Sequence, residues 1–143
     1  MYKETAKVLN NNPFFLYNYA SELYLINEID LSTKIASRCY DLLANYDLEL
    51  LLGNLYMDRK EYDKAEFHYY KAHYMCPCRF IPLNQIYDLY IEKGEINKSL
   101  IIATEIINKP IKVESLVIAQ IKYKMFNAIK NNAYEIKTMQ QNK

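Results

Sequence analysis

The chain of 143 residues has the length of a single domain and can bury a hydrophobic core without metal or disulfide support. Apolar residues make up 51% of it and charged residues 24%, which is typical of a folded globular protein and excludes a disordered tail. The net charge is +1, so the chain lacks the positive charge expected of a dedicated nucleic-acid-binding protein.

The composition also limits the fold and the compartment. Two glycines and four prolines are too few for a sandwich or barrel with many tight turns. The odd number of cysteines, Cys39, Cys76 and Cys78, argues against a secreted disulfide framework. No segment approaches the roughly 18 apolar residues of a membrane span, and the N-terminus lacks the layout of a signal peptide. We therefore expect a soluble chain, with the cytoplasm favoured over the periplasm.

Apolar residues recur at helical spacing along the chain, and no alternating strand pattern bounded by turn residues occurs. Asn12 can cap the first clear helix and Pro13 can occupy its first position. Polar breaks at Asn27 and Asn45 bound the second helix. The third and fourth helices follow, and Pro77 stops the fourth because proline cannot donate the backbone hydrogen bond of a helix.

Three further helices are predicted in the second half of the chain. The fifth ends at Gly94 and the sixth ends before Pro110. Ser115 is positioned to cap the seventh, and the residues from about Asn131 onwards are predicted to fray into polar sequence. The sequence therefore predicts an all-helical protein.

Pairs of these short helices recur at a constant spacing along the chain. Pro77 and Pro110 end successive second helices, and Ala20 and Gly53 occupy equivalent positions of successive first helices at the same separation. This spacing is close to the period of the tetratricopeptide repeat, which is about 34 residues, and a period in this range indicates a solenoid of helical hairpins.

The central unit, which begins at Tyr46, resembles the tetratricopeptide-repeat family. Its matches to the family pattern are Leu52, Gly53, Tyr56, Ala65, Tyr69, Ala72 and Pro77. Glu49 departs from the pattern, since the family usually has tryptophan there. Small residues at Gly53 and Ala65 are expected where the two helices of a pair cross, and Tyr56, Tyr69 and Ala72 are expected to fill the gap to the next pair.

The resemblance implies a right-handed superhelical stack of about three hairpins, with a capping helix at the C-terminal end. The repeats fall at roughly 13–45, 46–78 and 79–111, and the capping helix falls at about 115–131. The outer units match the pattern less well than the central one, as expected of terminal repeats. The family's role implies a non-catalytic scaffold that binds a protein or peptide.

A finer resemblance suggests an alternative function. The strings YDLELLLGNLY, YMCPCRFIPL and NKPIKVES are similar to the helical-repeat tail of O-antigen ligase-like or polymerase-like membrane proteins of Bacteroidota. This resemblance implies a soluble accessory or regulatory tail of such an enzyme. In those proteins the transferase chemistry belongs to the membrane-embedded part, so no active site is carried over to this chain.

The sequence offers no catalytic constellation and no cofactor motif. His73, Cys76 and Cys78 lie close together in sequence, but the C-x-C spacing and the absence of a second pair argue against a zinc site. His68 has charged neighbours in sequence and is predicted to lie on a solvated helix face. We therefore expect neither catalytic nor metal-binding residues.

The resemblance places a binding groove on the first helices of the repeats. The candidate groove residues are Tyr17, Ser21, Tyr24, Leu50, Asn54, Met57, Asp58, Asn84 and Asp88. The family members that grip a chain terminus use lysine and asparagine at two of these positions; Asn54 matches the asparagine, but Leu50 replaces the lysine. The groove would suit a basic or apolar segment. Alternatively, several of these side chains pack against neighbouring helices.

The terminal helices are candidates for a homodimer contact. The seventh helix carries a wide apolar stripe, formed by Val117, Ile118, Ile121, Met125, Phe126 and Ile129. It either caps the last repeat or forms a contact with a second copy. The N-terminal segment offers Tyr2, Ala6 and Leu9 for the same contact or for an upstream repeat.

Overall fold

A computed structural model describes residues 11–143, and this part of the chain is helical, with no strand. Its helices are α1 (Pro13–Leu25), α2 (Ile29–Tyr40), α3 (Tyr46–Asp58), α4 (Tyr62–Met75), α5 (Ile81–Glu92), α6 (Ile96–Asn108) and α7 (Leu116–Gln141). The prediction of an all-α fold is confirmed. The proposed contact residues Tyr2, Ala6 and Leu9 lie outside the described residues.

Consecutive helices pack as antiparallel hairpins. Within the described part of the chain, α1 packs on α2, α3 on α4, and α5 on α6, while α2 also contacts α3 and α6 also contacts α7. The chain divides into two compact units, one ending at Cys76 and the other spanning Pro77–Lys143. The first unit contains α1 to α4, and the second contains α5 to α7.

The three hairpins share one turn. The residues Asn27, Lys60 and Gly94 have φ angles of 63°, 58° and 73°, in the left-handed region that ends many helices. In the central turn, the backbone N–H of Glu61 donates to Tyr56 O at 2.9 Å, and the N–H of Lys60 donates to Met57 O at 2.9 Å. The same pair of hydrogen bonds recurs in the other two turns. The turn therefore repeats at a nearly constant spacing along the chain.

Two of these turns also carry the same ion-pair arrangement. Glu61 pairs with Lys64 at 2.5 Å and with Arg59 at 2.7 Å, and both pairs lower the pKa of its carboxyl. Glu95, at the equivalent position of the next turn, pairs with Lys93 and Lys98 in the same way. These pairs lie at the surface, between half-buried carboxylates and partly exposed cations, and contribute little to stability. Their recurrence shows that the two turns are built alike.

Three of the helices begin with a side-chain cap. Two of these caps, Asn12 and Ser115, lie where the sequence predicts a cap, and the third, Asn45, lies at a predicted polar break. The Asn12 side chain accepts a hydrogen bond from Phe15 N at 3.1 Å, and the Ser115 hydroxyl accepts from Ile118 N at 3.2 Å. Asn45 caps α3 by accepting from Asp47 N at 2.7 Å. Each cap satisfies a backbone donor that the first turn of a helix leaves unpaired.

One hydrophobic cluster of the first unit is formed by small and aliphatic side chains from α1, α2 and α3. Its buried members are Leu16, Ala20, Ala36, Cys39, Leu48, Leu51, Leu52 and Leu55. Within the α3–α4 hairpin, a Cβ atom at Gly53 would lie 2.4 Å from the Tyr69 ring. The Tyr69 ring therefore packs on Gly53 of its own hairpin.

The equivalent buried positions of the three hairpins differ in size. Ala20 and Ala36 correspond to Gly53 and Tyr69 in the second hairpin, and to Tyr87 and Ala103 in the third. All six positions are buried. In the second hairpin the tyrosine lies in the second helix, opposite Gly53, and in the third hairpin it lies in the first helix, opposite Ala103. A small residue opposite each large one keeps the total side-chain volume between the paired helices more nearly constant.

The last helix is longer than predicted. It spans 26 residues, Leu116–Gln141, so the expectations that it ends near residue 131 and that the chain frays from Asn131 are wrong. Ile121 and Met125 are its buried residues, whereas Val117 and Phe126 of the predicted stripe are more than half exposed. Only part of the predicted apolar stripe is therefore buried in the second unit, and the rest of it is exposed.

Candidate functional site

In the first unit, two candidate groove residues come together. Burial raises the pKa of the Tyr24 hydroxyl, as do the Asp58 carboxylate and its hydrogen bond with that hydroxyl. Tyr24 lies at the end of α1 and Asp58 at the end of α3, so the first helices of two successive hairpins contribute to one polar site. A hydroxyl beside a carboxylate presents acceptors to a cationic or amide-bearing partner.

The remaining candidates of this unit are neither buried nor fully exposed. Tyr17, Ser21, Leu50, Asn54 and Met57 are all half-buried. The Asn54 amide oxygen accepts a hydrogen bond from the Tyr69 hydroxyl at 2.8 Å. Asn54 therefore stabilises its own hairpin. This structural role is an alternative to gripping a chain terminus, which the resemblance to the family implies for this asparagine.

In the second unit, the candidate groove residues contact the last helix. The Lys124 ammonium of α7 lies 2.6 Å from the Asp88 carboxylate and 3.1 Å from the Asn84 amide oxygen, and 5.2 Å from the centre of the Tyr87 ring. Burial and the neighbouring Asp88 raise the pKa of Tyr87. Asn84 and Asp88 thus bind a lysine of the chain itself. This agrees with the alternative in which candidate groove residues pack against other helices of the chain.

The residues that carry the repeat pattern are mostly in the interior. Leu52, Gly53, Ala65, Tyr69 and Ala72 are buried. Tyr56 is half-buried, and Pro77 is exposed shortly after the end of α4. The buried positions among them therefore contribute to the packing of the α3–α4 hairpin.

The prediction that His68 faces solvent is wrong. Its side chain is buried in the α3–α4 hairpin, where Nδ1 lies 2.6 Å from the Glu49 carboxylate. The ring stacks on Tyr56 at 5.5 Å and is nearly perpendicular to Tyr40 at 5.5 Å and to Phe67 at 5.1 Å, measured between ring centres. A helix-face interpretation missed this because the residues that bury His68 belong to α2 and α3 as well as to α4.

Lys71 completes this polar cluster in the first unit. Its ammonium donates to the Tyr40 hydroxyl at 2.5 Å and lies 3.2 Å from the second Glu49 oxygen. The hydrogen bond with Tyr40 and the pairing with Glu49 raise the pKa of Lys71, against the opposing effect of burial. Glu49, the departure from the family pattern, was the available signal, because a carboxylate at a position usually held by a large apolar ring needs cationic or donor partners.

The contacts of this cluster support packing and not chemistry. A carboxylate that orients a histidine is one half of an acid–base dyad, but the His68 ring is enclosed by three aromatic side chains, and each oxygen of Glu49 already faces a partner within the chain. Among residues 11–143, no group of three His, Cys, Asp or Glu side chains is arranged to hold a metal ion.

The cysteines differ in environment. The Cys39 thiol is buried and donates to Pro13 O at 3.2 Å, and burial raises its pKa. Cys76 is half-buried and Cys78 is exposed. A high pKa keeps Cys39 in the unreactive thiol form, so it acts as a small apolar core residue.

The comparisons with known proteins leave the family open. No protein-family model matches the chain, and no curated protein matches it. Within the described part, no helix combines the length and apolar character needed to cross a membrane.

Proposed function

We propose that this chain is a non-catalytic scaffold of the tetratricopeptide-repeat class, in which helical hairpins stack as a right-handed superhelix and present a groove to a protein or peptide. The observation that carries the proposal is the recurrence of one hairpin turn, with left-handed residues at Asn27, Lys60 and Gly94. Buried positions recur in step with these turns. Such recurrence is typical of repeats that stack on their neighbours.

The chemistry of the first-helix face suits a basic or amide-rich segment. Tyr24 and Asp58 offer a hydroxyl and a carboxylate at one point, and the half-buried Leu50 and Met57 lie on the same helix as Asp58. In the second unit, Asp88 and its neighbours hold a lysine ammonium within the chain. We therefore expect a lysine or another cationic side chain of the partner to bind beside the exposed carboxylates of the first helices.

Site-specific photocrosslinking in the native cell tests the proposal. A photoreactive phenylalanine analogue at Met57 lies on the proposed binding face, and the matched control replaces Phe67, which is 56% exposed on the second helix of the same hairpin. We expect a discrete crosslinked product from position 57 and none from position 67. Equal products from both positions, or none from position 57, would contradict the proposal.

Cell fractionation distinguishes the alternative function. A soluble band near 17.0 kDa, the mass of this chain, supports a free-standing scaffold. A much larger band in the membrane fraction would instead support the tail of a membrane-embedded ligase or polymerase, and the partner would then be sought within that protein.

A further inference from the structure

The outer face of α7 carries a row of aromatic and lysine side chains. Its members recur every three or four residues, the spacing of neighbours on one helix face: Tyr123, Phe126, Lys130, Tyr134 and Lys137. We call this set the aromatic–lysine row. Its three rings are 70%, 57% and 72% exposed, in chain order, and both lysines are exposed. At about 100° per residue, the row lies on the side of α7 opposite the buried Ile121 and Met125.

The positive charge of this row is not neutralised within the described part of the chain. Lys122 donates to two backbone carbonyls at the end of α6, and Lys124 pairs with Asp88. By contrast, neither Lys130 nor Lys137 has a hydrogen bond or an ion pair with any residue of 11–143. The two lysines of the row are therefore available to a partner.

The carboxylate of α7 lies away from the row. The helix has four lysines and one glutamate, Glu135, whereas the whole chain has a net charge of only +1. Glu135 shares its side of the helix with Asn131 and Thr138, and it lies at least about 100° around the helix from each member of the row. The row therefore presents aromatic rings and positive charge without a negative group, which favours an anionic partner.

The form of this surface favours a lipid bilayer over other anionic partners. A peptide bound by its backbone needs a sheet edge or a groove, and one helix face offers neither. A nucleic acid is held by many phosphate contacts, and two free lysines supply few. In a symmetric dimer through this face, the row would meet itself and its lysines would lose water without gaining a carboxylate.

We propose that the aromatic–lysine row binds the surface of an anionic lipid bilayer, with its rings among the lipid headgroups and its ammonium groups beside lipid phosphates. Tyrosine rings favour this depth because they are apolar with a polar tip. Lysine stems lie along apolar surface while their ammonium groups stay in the polar layer. The helix lies on the bilayer in this arrangement and does not cross it.

A fluorescence experiment on the full chain tests whether the row enters the bilayer surface. The chain has no tryptophan, so Phe126→Trp introduces a single fluorophore within the row. Phe14→Trp is the matched control, since Phe14 is 65% exposed on α1. Vesicles that contain phosphatidylglycerol and phosphatidylcholine should shift the emission of Phe126→Trp to shorter wavelength and leave that of Phe14→Trp unchanged. No shift in Phe126→Trp, or an equal shift in both variants, overturns the proposal.

Co-sedimentation with the same vesicles tests the charge of the row. Lys130→Glu should weaken binding about fivefold or more. Lys34→Glu makes the same change at an exposed lysine of α2 and should leave binding within twofold. Added salt, or vesicles of phosphatidylcholine alone, should also weaken the binding of the unchanged protein. Because both lysines are exposed, circular dichroism should show folded variants. Unchanged binding by Lys130→Glu, equal loss in Lys34→Glu, or equal binding to neutral vesicles overturns the assignment.

Two further measurements distinguish other occupants of the row. Tighter binding to a single-stranded oligonucleotide than to the anionic vesicles, at equal phosphate concentration, overturns the proposal in favour of a nucleic acid. A dimer that forms without vesicles in analytical ultracentrifugation, and that Phe126→Ala abolishes, overturns it in favour of a second copy of the chain. We expect a monomer and weaker binding to the oligonucleotide.

Discussion

The Glu49 carboxylate lies 2.6 Å from Nδ1 of His68, and these two residues are 1% and 8% exposed, so the α3–α4 hairpin contains a buried polar pair. Lys71 lies 3.2 Å from the other carboxylate oxygen and connects the pair to the surface. A carboxylate at this depth is tolerated only when its oxygens are paired. Removing either Glu49 or His68 would therefore leave the other without its closest polar partner.

A double-mutant cycle tests this dependence. Glu49→Leu alone leaves His68 and Lys71 without their shared carboxylate, and we expect a loss of about 3 kcal/mol in the free energy of unfolding. His68→Phe alone leaves a buried carboxylate and should cost a similar amount. The double variant should lose clearly less than the sum, since paired apolar replacements of buried ion pairs are often nearly neutral. Urea denaturation of the four proteins gives the coupling, and strict additivity would show that the two residues act independently.

The close approach of Gly53 and Tyr69 gives a second prediction. Gly53→Ala places a Cβ 2.4 Å from the Tyr69 ring, which must move, and we expect a destabilisation of about 1–3 kcal/mol from overpacking. In a Tyr69→Ala background the same change should cost much less, because the two positions then match Ala20 and Ala36 of the first hairpin. Chemical denaturation of the single and double variants measures the difference, and an equal cost in both backgrounds would argue against the contact.

Gly94→Ala is the matched control for this experiment. No atom lies within 4 Å of a Cβ built at Gly94, but its φ of +73° is in the left-handed region. We expect a loss of about 1 kcal/mol from backbone strain alone. This loss should be the same whether residue 69 is tyrosine or alanine, since Gly94 and Tyr69 lie in different hairpins.

The local structure could be predicted from the sequence because it depends on neighbours along the chain. Asn12 and Ser115 are caps, and Gly94 is a turn residue, whatever packs around them. The length of α7 was predicted wrongly because its last residues are polar. The sequence held a signal against an early end, since no glycine or proline interrupts the helix before Gln141.

The polar contacts of the site depend on tertiary packing, which a single-helix pattern does not contain. His68 looks solvated beside its sequence neighbours, but its burial comes from Tyr40, Tyr56 and Glu49 on other helices. Likewise, Asp88 could be assigned to the first-helix face from the repeat spacing, whereas its partner Lys124 lies two helices further along the chain. Residue spacing predicts which helix face a side chain lies on, but only the tertiary packing shows which side chain of another helix contacts it.

The two environments of Cys39 and Cys78 lead to a reactivity prediction. Burial raises the pKa of Cys39, so a smaller fraction of it is thiolate at any pH, and its sulfur is also inaccessible. In the folded protein, Ellman's reagent should react rapidly with Cys78 and should not react with Cys39. Adding denaturant should release the Cys39 thiol with the same midpoint as the loss of helical circular dichroism. Rapid labelling that persists in Cys76→Ser/Cys78→Ser under native conditions would contradict the burial of Cys39.

The raised pKa of Tyr24 tests whether the first helices of two hairpins share a polar site. The folded state holds the Tyr24 proton more tightly than the unfolded chain, so this contribution to stability is complete below the ordinary tyrosine pKa and is lost as the pH rises through the raised value.

Asp58→Asn removes the carboxylate and should lower the pKa of Tyr24 towards its ordinary value, leaving only the effect of burial. The tyrosinate absorbance of each protein, minus that of its Tyr24→Phe counterpart, isolates this one hydroxyl among the chain's fifteen tyrosines. Asp47→Asn changes an exposed carboxylate on the same helix and should leave the difference curve unshifted. If Asp58→Asn also leaves it unshifted, Tyr24 and Asp58 do not form one site, and the first-helix face loses its best-defined polar position.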